Sequence, residues 1–281
     1  MVSSEQRRKQ LAREKFERQL KRKAEARRRR RIRNVAIGVG VVIVLAAGGA
    51  YAASGGLNGD EEKEKDEAAE NPMDSPTPSK APDPCDKPAK GEPNGKQWKK
   101  EPAMEIDKSA SYSMRLDTTC GGIDIEMDAA KAPHTVNSFD FLAGEKFFDH
   151  TRCHRLVDQG IHVLQCGDPK GNGLGGPGYT LPDENLKDKR LKGNTYPAGT
   201  VAMANEYDPR SKKGKDTGGS QFFLVFEDSE LPPYYTPFGK ITQGMDVLKK
   251  IAKAGVSPDP QTGGSLPNAT VVIDKATVRR S

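Results

Sequence analysis

The side chains of this 281-residue chain that could take part in chemistry are concentrated in five short strings. The strings read CHRL at 153–156, LQCGDP at 164–169, VAMANE at 201–206, GGSQFFLVF at 218–226 and FGK at 238–240. They bring together an arginine, glutamine and asparagine amides, and aromatic and aliphatic side chains. Such a set can donate hydrogen bonds to a carbonyl group and enclose an apolar ring.

Sites for hydrolysis, phosphate binding or metal binding are not indicated. Ser220 has no Gly-x-Ser-x-Gly context. The glycine-rich run GNGLGG at 171–176 lacks the Lys-Ser/Thr that follows a phosphate-binding loop. None of the histidines lies in the HExxH motif of a zinc site. These histidines are His134, His150, His154 and His162. We therefore expect neither a metal nor a cofactor.

In their order, the five strings closely resemble the cyclophilin family of peptidyl-prolyl cis-trans isomerases, over roughly residues 112–278. The resemblance implies an enzyme that accelerates rotation about the peptide bond before proline, in proline-containing polypeptides. Amide resonance gives that rotation a barrier of ~18–20 kcal/mol. A site that binds the twisted amide more tightly than the planar one lowers the barrier without a nucleophile or a proton transfer.

The resemblance also implies the roles of individual residues. Arg155 matches the catalytic arginine, which donates to the prolyl carbonyl or nitrogen, and Gln165 matches the glutamine that holds the substrate and the arginine. The other matched positions would bind the substrate. They are His162, Val163, Ala204, Asn205, Gln221, Phe223, Leu231 and Tyr235.

The stretch between Arg155 and Gln165 departs from the family pattern, because its nine residues are two more than is usual. His162 falls where the family commonly has the phenylalanine that floors the proline pocket. We expect His162 to line the pocket as a neutral ring, so that activity falls below a pH of roughly 6.5. Alternatively, the insertion turns His162 outward, and Ile161 or Val163 floors the pocket. A polar floor also leaves open a second function, a module that binds proline-containing ligands or partners with little turnover.

Hydrophobic periodicity predicts a mainly β domain over residues 105–281. Residues 112–116 and 123–127 alternate apolar and polar around Cys120-Gly121-Gly122, which predicts a β-hairpin. Residues 135–144 and 243–254 place apolar side chains at helical spacing. The predicted fold is a cyclophilin-like closed antiparallel β-barrel capped by two α-helices.

Charge and hydropathy divide the preceding residues into three segments. Residues 1–33 hold 15 Lys/Arg against four acidic residues, so this basic tail has a net charge of +11, against +6 for the whole chain, and the remainder is acidic. An acidic main domain argues against nucleic-acid binding. Residues 34–53 contain an uncharged run of nineteen residues. As a helix, that run would measure about 28 Å, close to the hydrocarbon thickness of a bilayer.

The basic flank predicts that this run is a transmembrane helix with its N-terminus in the cytoplasm, which would make the chain a single-pass plasma-membrane protein with an extracellular isomerase domain. A cleaved signal peptide is the alternative, and it exports the domain as well. Residues 54–104 are acidic and then rich in proline, which predicts a disordered linker. Trp98, near its end, is interpreted as a docking contact.

The chain has four cysteines, an even number that allows three disulfide pairings on the exported side. Cys153 and Cys166 flank a predicted hairpin and could face each other across it. That pairing would leave Cys85 with Cys120 and would tie the end of the linker to the first hairpin. Free buried thiols are the alternative.

Overall fold

The structure is a computed structural model that describes residues 82–208, 210–260 and 264–281. In these ranges the chain forms thirteen β-strands and two α-helices. The strands are β1 (Tyr112–Thr118), β2 (Gly121–Met127), β3 (Thr151–Arg152), β4 (Arg155–Val157), β5 (Val163–Cys166), β6 (Thr195–Tyr196), β7 (Thr200–Met203), β8 (Phe222–Val225), β9 (Ser229–Glu230), β10 (Pro237–Gln243), β11 (Val256–Pro258), β12 (Ser265–Pro267) and β13 (Val272–Arg280). The helices are α1 (Pro133–Gly144) and α2 (Met245–Lys253).

Nine strands form one sheet in the order β3-β13-β1-β2-β10-β7-β8-β5-β4. The β1–β2 hairpin was predicted from its alternating pattern, and its register runs from Tyr112 opposite Met127 to Thr118 opposite Gly121. The barrel was predicted to be closed, and this is corrected. In the described sheet, β3 and β4 are the two edges and are not neighbours. Residues 153–154 connect the two edge strands along the chain. No hydrogen-bonded ladder joins these two strands in the described sheet.

Both predicted helices are present and pack on the main core. Helix α1 begins at Pro133, whose missing N–H is harmless in the first turn of a helix. The Glu184 carboxylate accepts hydrogen bonds from the backbone N–H groups of His134 (3.1 Å) and Thr135 (2.9 Å), which satisfies two free donors of that turn. The fully buried Phe139 ring of α1 lies 4.6 Å from the Phe238 ring, centroid to centroid.

The sheet is buried on both faces where β8 crosses it. All four residues of β8 are buried, and successive side chains of a strand point to opposite faces. Phe222 and Leu224 therefore enter the main core, whereas Phe223 and Val225 enter a second cluster on the other face. We call this second cluster the groove cluster. Its buried members are Val163, Tyr196, Ala202, Phe223, Val225 and Leu231.

The linker prediction is wrong for residues 82–104, which bind to the domain and which we call the N-terminal segment. A disulfide joins Cys85 to Cys120 in the turn between β1 and β2. The Trp98 ring packs edge-on against Phe141 of α1, with 5.1 Å between the ring centroids. Prolines prevent this segment from forming a helix or a central strand, but they do not prevent an extended chain from docking. Residues 54–81 of the predicted linker lie outside the described ranges.

The predicted fold class also included one transmembrane helix before the domain, and this part is corrected. In the described ranges, no helix combines the length and the apolar character that crossing a membrane requires. The predicted helix itself, at 34–53, and the predicted basic tail, at 1–33, lie outside those ranges.

Candidate active site

The strands bring the predicted catalytic pair together by their register. Arg155 of β4 and Gln165 of β5 lie directly opposite each other in an antiparallel pair. Gln165 is in turn opposite Phe223 of β8, and Phe223 is opposite Ala202 of β7. A single row across four strands therefore carries a guanidinium, an amide and an aromatic ring.

A pocket of about 200 Å³ lies beside this row. Eight of the ten predicted catalytic and substrate-binding residues line it, together with Ile161. The lining residues are Arg155, Ile161, Val163, Gln165, Ala204, Asn205, Phe223, Leu231 and Tyr235. The remaining two predicted residues are elsewhere: Gln221 lines an adjoining cavity, and His162 faces away.

His162 was expected in the pocket, and this expectation is wrong. The extra residues form a bend at 159–161, and β5 then begins at Val163. Because side chains alternate, Val163 faces the pocket and its neighbour His162 does not. The His162 ring packs edge-on against Phe226, 5.6 Å between centroids, and its backbone N–H donates to Ser229 Oγ at 2.8 Å. Ile161 contributes the apolar side chain instead.

Three aromatic rings pack together at the pocket: Phe223 and Tyr235 line it, and Tyr196 packs behind them. The Phe223 and Tyr235 rings meet edge to face at 5.3 Å, and the Tyr196 ring lies 6.3 Å from Phe223. The Tyr196 hydroxyl donates to the Tyr235 carbonyl oxygen at 2.8 Å. Burial raises the pKa of Tyr196, so the phenol stays protonated and keeps this hydrogen bond. Sequence analysis missed Tyr196, because a tyrosine among turn-forming glycines gives no signal of burial.

A chain of hydrogen bonds orients Arg155. Its Nη1 donates to Gln165 Oε1 at 3.3 Å, and Gln165 Nε2 donates to Gln221 Oε1 at 2.9 Å. Gln221 Nε2 donates to the carbonyl oxygens of Gly173 (3.0 Å) and Gly175 (2.9 Å). These two acceptors fix the direction of the Gln221 amide and therefore that of Gln165. Arg155, half-buried at the pocket, keeps further N–H donors for a ligand.

The fully buried Asp168 carboxylate holds the loop that supplies those two carbonyl groups. It accepts hydrogen bonds from the backbone N–H groups of Lys170 (2.7 Å), Asn172 (3.0 Å) and Gly173 (2.6 Å). A Cβ atom at Gly175 would lie 1.9 Å from Asp168 Oδ1, so this close approach requires glycine. Sequence analysis assigned no role to Asp168, because its partners follow it in a loop without periodicity.

His154 lies beside this loop and next to Arg155 in the chain. It is buried, and within the described part of the chain neither of its ring nitrogens has a hydrogen-bond partner. Burial lowers its pKa, the Asp168 carboxylate partly opposes this shift, and the Arg155 guanidinium adds to it. A neutral ring therefore lies behind the cationic Arg155.

Backbone and side-chain contacts hold the Ala204–Asn205 edge of the pocket. The Ala204 N–H donates to the Gln221 carbonyl oxygen at 2.9 Å. Asn205 Nδ2 donates to the Tyr234 carbonyl oxygen at 2.7 Å, and Asn205 Oδ1 accepts from the Tyr207 N–H at 3.2 Å. Asn205 Nδ2 also donates to Asp183 Oδ1 at 3.3 Å, so the Asn205 amide ties its own loop to two others at the rim.

The four cysteines form two disulfides in the structure. Cys153 is bonded to Cys166, and Cys85 is bonded to Cys120. Both Cys153 and Cys166 are buried, and they lie two residues before Arg155 and one residue after Gln165. This bond therefore ties together the two strands that carry the catalytic pair. No group of three or more His, Cys, Asp or Glu side chains in the described ranges could hold a metal ion.

The sequence model of the cyclophilin type peptidyl-prolyl cis-trans isomerase/CLD family matches residues 113–278, which is more than half of the chain. The chain belongs to this family. The prediction made from the five strings is therefore confirmed at the level of the family. The cyclophilin domain contains the complete pocket and the Arg155–Gln165–Gln221 chain, whereas the N-terminal segment lies before it.

Bacterial relatives of this cyclophilin are similar over the same region. The probable peptidyl-prolyl cis-trans isomerase B of Mycobacterium leprae (strain TN) is 44% identical over 171 residues, which cover 58% of this chain and 56% of that protein. Its counterpart in Mycobacterium tuberculosis (strain ATCC 25618 / H37Rv) is 43% identical, with 58% and 53% covered. Peptidyl-prolyl cis-trans isomerase B of Bacillus subtilis (strain 168) is 39% identical over 145 residues, which cover 50% of this chain and 91% of that protein. The match thus spans little more than half the length of the mycobacterial relatives.

Proposed function

We propose that this protein is a peptidyl-prolyl cis-trans isomerase that acts on proline-containing polypeptides. The observation that carries the proposal is the position of Arg155, an oriented cation at the rim of an apolar pocket of about 200 Å³. The pocket accepts the pyrrolidine ring against Phe223 and Leu231. Arg155 then lies beside the amide bond that precedes the ring.

The geometry favours rotation about that bond for a simple electronic reason. As the amide twists, resonance is lost, and the lone pair returns to the prolyl nitrogen. An Arg155 N–H that donates to this nitrogen, or to the polarised carbonyl group, stabilises the twisted amide more than the planar one. The ring is held while the rest of the peptide turns, and no covalent bond forms or breaks.

The test is the isomerisation rate of a proline-containing model peptide. Arg155→Ala should lower kcat/KM about a hundredfold, as expected for removing one positioned electrostatic donor worth ~2–3 kcal/mol. Arg279→Ala is the matched control, because Arg279 is an exposed arginine at the end of β13. A folded Arg155→Ala variant with the wild-type rate would refute the proposed role of Arg155.

The alternative function, a binding module with little turnover, rested on a polar floor for the proline pocket. His162 faces away from the pocket, and Ile161 lines it. The observation that motivated the alternative is therefore removed, and the enzyme is the function that we propose.

The further proposal is that the isomerase assists the folding of exported proteins outside the plasma membrane. The support is that all four cysteines are paired in disulfides, which persist in oxidising compartments and are rare in the cytosol. The test is to alkylate thiols in intact cells, digest the protein without reduction and analyse the peptides by mass spectrometry. Linked Cys85–Cys120 and Cys153–Cys166 peptides are expected. Alkylated thiols at these positions would contradict an oxidising location.

A further inference from the structure

A second cavity, of about 420 Å³, adjoins the proline pocket. The two share Gln165, Ala204 and Asn205 as lining residues. The two cavities are therefore close enough for a peptide whose proline ring occupies the pocket to place the side chain of a flanking residue in the second cavity.

One wall of this cavity comes from outside the cyclophilin domain. Gln97 lines it and belongs to the N-terminal segment, whereas the family match begins at residue 113. The neighbouring Trp98 N–H donates to the Pro177 carbonyl oxygen at 2.8 Å. A Cβ atom at Gly178 would lie 2.7 Å from the Trp98 carbonyl oxygen and 3.1 Å from Gln97 Cβ. The segment and the cavity wall are thus in direct backbone contact.

The position of Gln97 is fixed from two directions. The Trp98 ring contacts Phe141 at 5.1 Å and Phe147 at 5.9 Å, centroid to centroid. Closer to the start of the described chain, the Cys85–Cys120 disulfide fastens the same segment to the first hairpin. These contacts hold the backbone at Gln97 in place beside the cavity.

The cavity presents hydrogen-bonding groups as well as apolar ones. Gln165 and Gln221 are engaged in orienting Arg155, and the Thr217 hydroxyl donates to the Gly214 carbonyl oxygen at 2.6 Å. Gln97, Thr180 and Glu206, all exposed, offer an amide, a hydroxyl and a carboxylate group that can accept hydrogen bonds from an incoming amide or hydroxyl side chain.

We propose that Gln97, which lies outside the cyclophilin domain, is a specificity-determining residue whose amide contacts an amide or hydroxyl side chain close to the proline of the substrate. The proposal rests on the proposed isomerase function. It assigns to the N-terminal segment a share in the binding of substrate.

The experiment compares Gln97→Ala with wild type on two sets of peptides. The first set consists of short Ala-Pro peptides that end before the second cavity. The second set consists of longer peptides in which the residues on either side of Ala-Pro are Gln, Ser, Leu or Ala. Gln243→Ala is the matched control, because Gln243 is an exposed glutamine at the end of β10.

Gln97→Ala should raise KM about three- to tenfold for the longer Gln and Ser peptides, as the loss of one hydrogen bond predicts, with kcat unchanged. The short peptides and the Gln243→Ala control should not differ from wild type. Equal KM values for Gln97→Ala and wild type on all longer peptides would overturn the proposal. An equal loss on the short peptides would overturn it as well, since it would mean general damage to the site.

The failure of this inference can be distinguished from the failure of the isomerase function. Isothermal titration calorimetry measures the Kd of peptide binding without turnover. If wild type binds the long Gln peptide but isomerises nothing, the isomerase proposal fails. In that case, an unchanged Kd in Gln97→Ala would still refute the role of Gln97, and a weakened Kd would support it.

Discussion

Replacing Ile161 by Ala should lower the catalytic efficiency of the isomerase, because Ile161 is the apolar side chain that lines the proline pocket in the enlarged bend. The substitution removes three carbon atoms. Each fully buried methylene contributes ~0.8 kcal/mol, which sets an upper limit of roughly 2.4 kcal/mol. Ile161 is only partly buried, so about 1–2 kcal/mol is expected. That loss corresponds to a decrease in kcat/KM of about 5- to 30-fold.

The neighbouring residue provides the contrast. His162→Phe should leave kcat/KM within about twofold of wild type, because the His162 ring packs against Phe226 and does not line the proline pocket. The assay is exchange spectroscopy on an Ala-Pro peptide at pH 5.5 and pH 7.5, with melting temperatures measured to establish that both variants fold. The pH profile of His162→Phe should match that of wild type.

One pair of results would refute this assignment of the pocket. If Ile161→Ala keeps the wild-type efficiency while His162→Phe increases it and flattens its pH dependence, His162 lines the pocket in solution. The alternation of side chains into β5 would then begin one residue away from its position in the structure.

Three further predictions concern the surroundings of the site. Gln221→Leu should lower kcat about 10- to 100-fold in steady-state peptide kinetics, because it leaves polar groups of the site unpaired and frees Arg155 to rotate. An unchanged kcat would mean that this chain of hydrogen bonds is dispensable. Burial alone would raise the pKa of Asp188, but hydrogen bonds from Arg190 and Asn185 lower it to about 2. The ionised Asp188 carboxylate therefore stabilises the folded state above pH 4, and this stabilisation disappears towards pH 2. Asp188→Asn should therefore reduce the free energy of unfolding by about 1–3 kcal/mol at pH 7, and by much less at pH 2.5, in urea titrations. Burial lowers the pKa of His154, so below pH ~6.5 the unfolded chain binds a proton that the folded one does not; the free energy of unfolding should fall there in wild type and fall less steeply in His154→Asn.

The sequence by itself determined those helices and strands whose formation depends on residues close together in the chain. The β1–β2 hairpin and the inward residues of α1 follow from periodicity, because strands and helices repeat their side-chain directions every 2.0 and 3.6 residues. The five strings determined the family, and they placed Arg155 and Gln165 at one site, where the register of β4 and β5 makes them neighbours.

The tertiary structure alone decided those features that depend on contacts between residues far apart in the chain. Tyr196 reaches the groove cluster because β6 pairs with β9, more than thirty residues further along the chain. Gln97 reaches the second cavity through the docking of Trp98 on a helix about forty residues away. Such contacts join segments whose separate sequences carry no periodic signal, so only the folded chain determines which segments meet. The same holds at His162, where the length of a bend, and not the type of residue, decides which side chain faces the proline pocket.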